Sequence, residues 1–483
     1  MSALRRLFKH TFIYGLATVL PRMFSFLLVP LYTAVLPTAE YGYITVIYAY
    51  FILFNVILAY GMETAFFRFY TKSENKLEVM STSAWSLVIS SILILCLAFL
   101  FRENISVWTH IPVAYISFVI GILLFDALVI IPFAYLRVKQ KPIKYAIIKI
   151  LNVIINLGLN LFFLLWLGNL SKKNGFWEGL YVSDFEISYV LIANLIASGA
   201  TLLLMMPFYF KLRFHFDREL WKKMMAYALP VLVAGLAFSI NEAFDKILLD
   251  YLLPQDIAKE KIGAYGACYK LAVFMTLFAT AFRLGIEPFF FTHANSENAP
   301  KTYAAITKYF VVFGSIILVT IMVFLDFLKE MIIREESYWE AMGIVPLILL
   351  ANLCLGIYHN LSVWYKITDR TKFGAYISVA GAVLTILLNF ALIPSVGYFG
   401  SAIATLAAYA FMMLLSFYYG KKYYPIPYDL KKIIGYLSIA IGISGVSFYQ
   451  FRGNLIVGSL FLLSFLLIIF ISERKELKTI LKS

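Results

Sequence analysis

Residues 111–136 read IPVAYISFVIGILLFDALVIIPFAYL, twenty-six residues of which one, Asp126, is charged. A helix rises 1.5 Å per residue, so about 20 apolar residues cross the hydrocarbon of a bilayer. The stretch is apolar on all sides, whereas a barrel strand would be about ten residues long and alternate. Thirteen further segments repeat the pattern. The fourteen lie at 12–36, 43–69, 82–101, 111–136, 143–167, 187–210, 223–251, 263–291, 303–327, 340–366, 373–394, 398–419, 432–450 and 454–471, and no connection exceeds some twenty residues. The expected fold is all-α, a polytopic membrane protein of about 14 transmembrane helices, with function residing in the helices themselves.

Composition agrees. Of 483 residues, 62% are hydrophobic and 14% charged, which excludes a disordered chain and an ordinary soluble globule. The net charge is +14, and its distribution carries the topology. Of the 41 Lys and Arg residues, 27 are placed in or beside the connections on the side of the N-terminus, 8 on the other side, and the remaining 6 within or near the segments. By the positive-inside rule both termini are cytoplasmic. The basic residues are divided among short loops and form no continuous patch, so nucleic acid is not an expected partner. The seven tryptophans all lie near segment ends or in loops, as the headgroup preference of indole requires. The first segment is too long for a signal-peptide core and is read as an uncleaved span. Cys96, Cys268 and Cys354 are far apart inside segments and read as apolar packing.

The chain contains an internal duplication. Tyr41-Gly42 is followed nineteen residues on by Gly61, Glu63, Phe66 and Phe67, and Tyr265-Gly266 by Gly285, Glu287, Phe290 and Phe291, a constant offset of 224. Ala146, Ile148 and Asn160 match Ala375, Ile377 and Asn389 at an offset of 229. Six segments separate the copies, so equivalent helices enter the membrane from the same side, and a cavity is expected between two parallel repeats. The domain reading is an N-terminal six-helix lobe over 1–210, a second over 211–419, and two additional helices with a cytoplasmic tail over 420–483.

Several stretches carry a resemblance. Tyr14-Gly15, Pro30-Leu31-Tyr32, Glu40-Tyr41-Gly42, the run Gly61-Met62-Glu63-Thr64-Ala65-Phe66-Phe67-Arg68-Phe69, Ala264-Tyr265-Gly266 with Tyr269-Lys270-Leu271, and Glu287-Pro288-Phe289 resemble the polysaccharide-exporter branch of the multidrug/oligosaccharidyl-lipid/polysaccharide flippases, the Wzx-type O-antigen and capsule flippases. The resemblance covers essentially the whole chain, and its motifs are diffuse patterns with no catalytic signature. It implies two six-helix lobes, alternating access, residence in the bacterial cytoplasmic membrane, and movement of an undecaprenyl-diphosphate-linked oligosaccharide to the outer leaflet. The implied partners are that lipid-linked oligosaccharide, membrane lipid, a coupling ion (H+ or Na+), and a polysaccharide polymerase or glycosyltransferases.

Charges inside a bilayer cost at least about 2.5–3.5 kcal/mol each and mark function or pairing. Ten such groups occur: Arg22, Glu63, Asp126, Lys149, Glu242, Asp245, Lys246, Lys270, Arg283 and Glu287. Eight fall on spans one, two, seven and eight, which are therefore expected to line the watery space. Arg22 lies about 15 Å into span one and offers a planar fork that matches phosphate oxygens. Lys246 stands one turn beyond Glu242, and such a pair also neutralises itself. Lys270 and Arg283 are candidates to hold phosphate at successive stages, although Arg283 is near enough to the inner surface to snorkel. Glu63 and Glu287, the repeat-related acids, are candidates for a gate closed on Arg68 or Arg283, or for carrying a coupling proton; Glu242 and Asp245 join them as gate or ion-coupling candidates. Lys149, Asn152, Asn156 and Asn160 share one face of span five, either for interhelical hydrogen bonds or for sugar hydroxyls, with Asp126 a partner for Lys149.

Enzymatic motifs are missing from the sequence. There is no GxxxxGK[ST] loop, GxSxG elbow, HExxH, CxxC or histidine cluster, so no catalytic residue, cofactor or metal site is expected. The alternatives within transport are a drug/cation antiporter of the same superfamily and a flippase for a peptidoglycan-precursor lipid; a membrane-embedded glycosyltransferase is the remaining enzyme class.

Overall fold

A computed structural model describes residues 19–20, 23, 26–172, 175–292 and 296–480, and among these the regular structure is helical. Twelve helices are long and apolar enough to cross a membrane: Thr38–Lys72, Lys76–Leu100, Val113–Val138, Pro142–Ser171, Glu186–Tyr209, Arg218–Leu252, Ala299–Val323, Glu336–Ile367, Lys372–Val396, Tyr398–Tyr423, Leu430–Gln450 and Leu455–Arg474. The pair Gln255–Leu271 and Val273–Glu287, bent by 48°, makes a thirteenth. These coincide with spans two to fourteen. Span one lies largely outside the described residues, and its end is the helix Leu28–Val35.

Two compact units divide the chain, Met1–Gly263 and Ala264–Ser483. In the first, the helix Arg218–Leu252 packs on Thr38–Ala59 through Ala49, Ala243 and Ile247. Span two is not one straight rod. Tyr60 (φ 32°) and Gly61 (φ 74°) interrupt it between the helices Thr38–Ala59 and Met62–Lys72. Glycine is needed at 61 twice over: for the left-handed backbone, and because a Cβ there would collide with the Ala228 carbonyl. Below the break, Met62, Phe66, Tyr70, Leu87, Ile131, Phe208 and Met224 form one apolar cluster.

At the other end of span two the packing is backbone on backbone. A Cβ on Gly42 would fall on the Lys259 carbonyl, and one on Gly263 on the Thr38 carbonyl. Thus at Gly42 and Gly263 the start of Thr38–Ala59 and residues 259–263 meet backbone to backbone.

In the second unit, Ala351, Cys354, Tyr358, Ile377, Tyr409 and Met412 form the contact among spans ten, eleven and twelve. The last two helices are fastened to Ala299–Val323 through Glu473, which is 1% exposed. Its carboxylate accepts from Lys308 Nζ (2.7 Å), Lys432 Nζ (2.9 Å) and the Tyr436 hydroxyl (2.6 Å).

Candidate functional site

Each unit holds the same ion pair. Glu63 Oε1 lies 2.7 Å from Arg137 Nη1 in the first, and Glu287 Oε1 lies 2.7 Å from Lys366 Nζ in the second. The acids are related by the offset of 224 and the bases by 229, so the pairing itself is duplicated. Local structure explains the positions. Glu63 occupies the first turn of Met62–Lys72, where the helix dipole favours an acid, and Arg137 the last turn of Ile130–Val138, where it favours a base. Lys366 likewise ends the short helix Val363–Ile367.

The expected partners of these acids were different. Arg68 sits over the Tyr227 ring at 4.4 Å, and Arg283 Nη1 meets His359 Nε2 at 3.4 Å.

Around the second pair a polar cluster opens on a small cavity. Arg283 and Glu287, one turn apart on Val273–Thr292, face His359, Asn360 and Lys366, with Ile286, Phe290 and Val363 completing the lining. An arginine can only donate, so His359 Nε2 is the acceptor in this contact. Asn360, 4% exposed, spends its amide on the Gly356 carbonyl (3.0 Å), leaving Oδ1 with no partner. An unmatched buried acceptor costs about 1–3 kcal/mol. The cavity therefore presents fixed donors and one idle acceptor, a setting suited to an oxygen-rich polar group.

The remaining predicted residues are dispersed. Arg22 lies outside the described residues. Lys246 bonds not the Glu242 carboxylate but its chain neighbour Asp245, at 2.8 and 2.9 Å, with the Glu242 carbonyl at 3.5 Å. Its flexible stem curls back to the adjacent acid instead of reaching one turn along the helix. Asn241 and Asp245 are buried together on one face, while Glu242 is half-buried on the next, and its carboxylate has no hydrogen bond or ion pair among the described residues. Lys270 is exposed in the last turn of Gln255–Leu271.

On span five, Lys149 lies over the Phe133 ring at 4.3 Å and forms no salt bridge with Asp126, which instead accepts from Ser198 Oγ at 2.8 Å. Asn152 donates to Thr201 Oγ1 (3.0 Å), and Asn160 donates to the Asn156 carbonyl (2.8 Å) while accepting from the Tyr32 hydroxyl (2.9 Å). The repeat-related Asn389 mirrors this, donating to the Thr385 carbonyl at 2.7 Å. Sequence reasoning missed Arg137, His359, Asn360 and Lys366. A signal existed for each: the 229 offset joins Arg137 to Lys366, and His359-Asn360 is a polar pair in an otherwise apolar segment.

A family model described as polysaccharide biosynthesis protein matches residues 7–282, and the MatE family model matches residues 230–391. No curated protein matches the chain. Among solved structures the chain is similar to "Lipid II flippase MurJ, inward closed conformation", with a TM-score of 0.77 and 16% identity over 96% of this chain and 99% of that one. It is similar to an inward-facing multidrug resistance MATE family transporter of the MOP superfamily (TM-score 0.65, 12% identity, 89% and 96% covered). It is also similar to the MATE multidrug transporter DinF-BH in complex with R6G (TM-score 0.63, 13% identity, 90% and 97% covered). At these identities the likeness is one of fold.

Proposed function

The chain belongs to the polysaccharide biosynthesis protein family, a branch of the flippase superfamily that also contains MatE, and from that premise we propose that it carries an undecaprenyl-diphosphate-linked oligosaccharide across the cytoplasmic membrane by alternating access. The observation that supports this cargo is the Glu287–Lys366 pair bordering a cavity that Arg283 and His359 also line. Arginine and lysine donors match phosphate oxygens with charge-assisted bonds. An arriving diphosphate would compete with Glu287 for Lys366, so binding the cargo would undo a link at the inner end of span eight. That gives the ligand a different energy in two conformations, without which it could shift neither. Glu63–Arg137 is the equivalent link in the first unit. Arg22, Lys246 and Lys270 are proposed as further anion contacts, the sugars occupying hydrated space while the prenyl tail stays in lipid; Lys149, Asn152 and Asn156 are proposed to meet sugar hydroxyls once their helix contacts exchange.

The test is transport in vesicles containing the purified protein, read by access of an external glycan-modifying enzyme to the lipid-linked oligosaccharide. Arg283→Ala should lower the initial rate about tenfold or more, taking the loss of one charged hydrogen bond as about 1.5–3 kcal/mol. Transport at the wild-type rate by a fully incorporated Arg283→Ala protein would remove the cavity from the cargo path.

A second reading has its own support. The MatE match and the half-buried Glu242, which has no ion pair among the described residues, suit a cation antiporter in which that carboxylate carries the coupling proton. In that case Glu242→Gln abolishes proton-driven efflux of a cationic dye and Arg283→Ala leaves it unchanged.

A further inference from the structure

At the end of the first unit opposite the Glu63–Arg137 pair, three segments converge on one carboxylate. Asp250, in the last turn of Arg218–Leu252, is fully buried, and its Oδ1 accepts from Lys259 Nζ at 2.5 Å. Its backbone carbonyl accepts from Gln255 Nε2 at 2.7 Å. Among the described residues its other oxygen, Oδ2, has no hydrogen-bond partner, and neither does His110 Nδ1, which lies 3.7 Å from it. His110 follows the helix Arg102–Thr109 in the left-handed region (φ 51°), and its side chain is 36% exposed. The Tyr251 ring stands 5.5 Å from the imidazole, and the Tyr251 hydroxyl donates to the Trp108 carbonyl. The geometry is a buried, half-satisfied carboxylate facing an idle ring nitrogen, slightly beyond bonding distance, with a route to solvent on the ring side.

We propose that His110 and Asp250 form a proton-binding site open to the outer compartment, in which protonated His110 closes onto Asp250 Oδ2 and ties the Arg102–Thr109 connection to spans seven and eight. The groups around the pair are Lys259 from Gln255–Leu271, Tyr43 and Tyr50 from Thr38–Ala59, Tyr251 from the helix of Asp250 itself, and Tyr115 behind Tyr43. His110 is the imidazole among them, the side-chain type that gains and loses charge near neutral pH. Lys259 links this site to the glycine contact, because its carbonyl is the one against which Gly42 packs. Protonation thus adds a charge-assisted bond to the cluster that holds Lys259. It opposes parting of the helix starts at Thr38 and at residues 259–263, and by linkage a form in which they part binds the proton less tightly. The inference is independent of the cargo and rests on the orientation given by the loop charges.

Amide hydrogen exchange over residues 102–112, corrected for the intrinsic pH dependence, tests it on the full-length protein in vesicles. Protection should rise about tenfold as the external pH falls from about 8 to about 5, the range of imidazole titration. His110→Gln, a partly exposed substitution that leaves the Lys259–Asp250 pair in place, should abolish the rise. Lys259→Met should move it to higher pH, because Asp250 then has His110 as its counter-ion. The same rise in His110→Gln, or none in the wild type, would overturn the site. A response to internal pH alone would overturn its assignment to the outer compartment.

Discussion

Replacing Glu473 with Gln separates two contacts that distance alone makes equal. Lys308 Nζ is 2.7 Å from Glu473 Oε2, and Lys366 Nζ is 2.7 Å from Glu287 Oε1. Burial distinguishes them: the first pair is 5% and 2% exposed, the second 27% and 35%. Removing one partner of a buried pair strands the other charge and costs about 3–5 kcal/mol, whereas a half-exposed pair contributes about 0–1 kcal/mol. Glu473 also serves Lys432 and Tyr436, so the neutral amide withdraws the charge from three contacts at once. Equilibrium unfolding in mixed micelles should show Glu473→Gln less stable than wild type by about 3 kcal/mol or more, with the last two helices losing protection first. Glu287→Gln should cost less than about 1 kcal/mol. The double variant Lys308→Met with Glu473→Leu should recover the part of the loss that belongs to Lys308, since an apolar pair of similar volume replaces a buried ionic one at little cost, while Lys432 and Tyr436 still lose this carboxylate. Equal destabilisation by Glu473→Gln and Glu287→Gln would refute the weighting by burial.

Gly61→Ala should lower stability by at least about 1–2 kcal/mol, from the left-handed backbone alone, and the loss should exceed that of Gly435→Ala, where a Cβ meets nothing within 4 Å. Asp217 caps the helix Arg218–Leu252 by accepting from the Leu220 and Glu219 amides, and these bonds, Leu220 foremost, hold its carboxyl below the ordinary range. Its contribution is therefore full above the unfolded pKa, about 3.9, and fades as pH falls through the depressed folded value. Thermal melts of wild type and Asp217→Ala should differ at neutral pH and converge in acid. Cysteines introduced at Ser171 and Ser337 should react with an impermeant thiol reagent outside intact cells and one at Ser73 should not; labelling at Ser73 would reverse the topology.

The spans were legible because length and hydropathy need no partner to be read: thirteen of the fourteen segments coincide with helices or with the bent pair. The interruptions at Tyr60–Gly61 and between Leu271 and Val273 were not, since an apolar run looks the same whether straight or broken, and the reason for Gly61 is a carbonyl 167 positions further along the chain. Embedded charges were found by residue type, but their partners were not. Helix spacing suggested Glu242 for Lys246, and the ammonium bonds Asp245 instead; Arg68, offered with Arg283 as a gate partner for either acid, lies over the Tyr227 ring. Arg137 is 74 residues from Glu63, and only the repeat offset hints that it matters. The amide stripe on span five was read with both meanings open, and Asn152 and Asn160 are engaged in bonds to neighbouring spans.

The contact of Gly42 with Lys259 and of Gly263 with Thr38 has a mechanical consequence. Interlocked side chains must leave their rotamers and refill the holes they vacate before two helices can part, whereas a seam of α-carbons and carbonyls has no teeth. At those two points it can part without a rotamer change and close again to the same place. The cost of opening then falls on whatever spans the seam from its flanks. A single leucine at Gly263 would act as a wedge, holding the seam ajar.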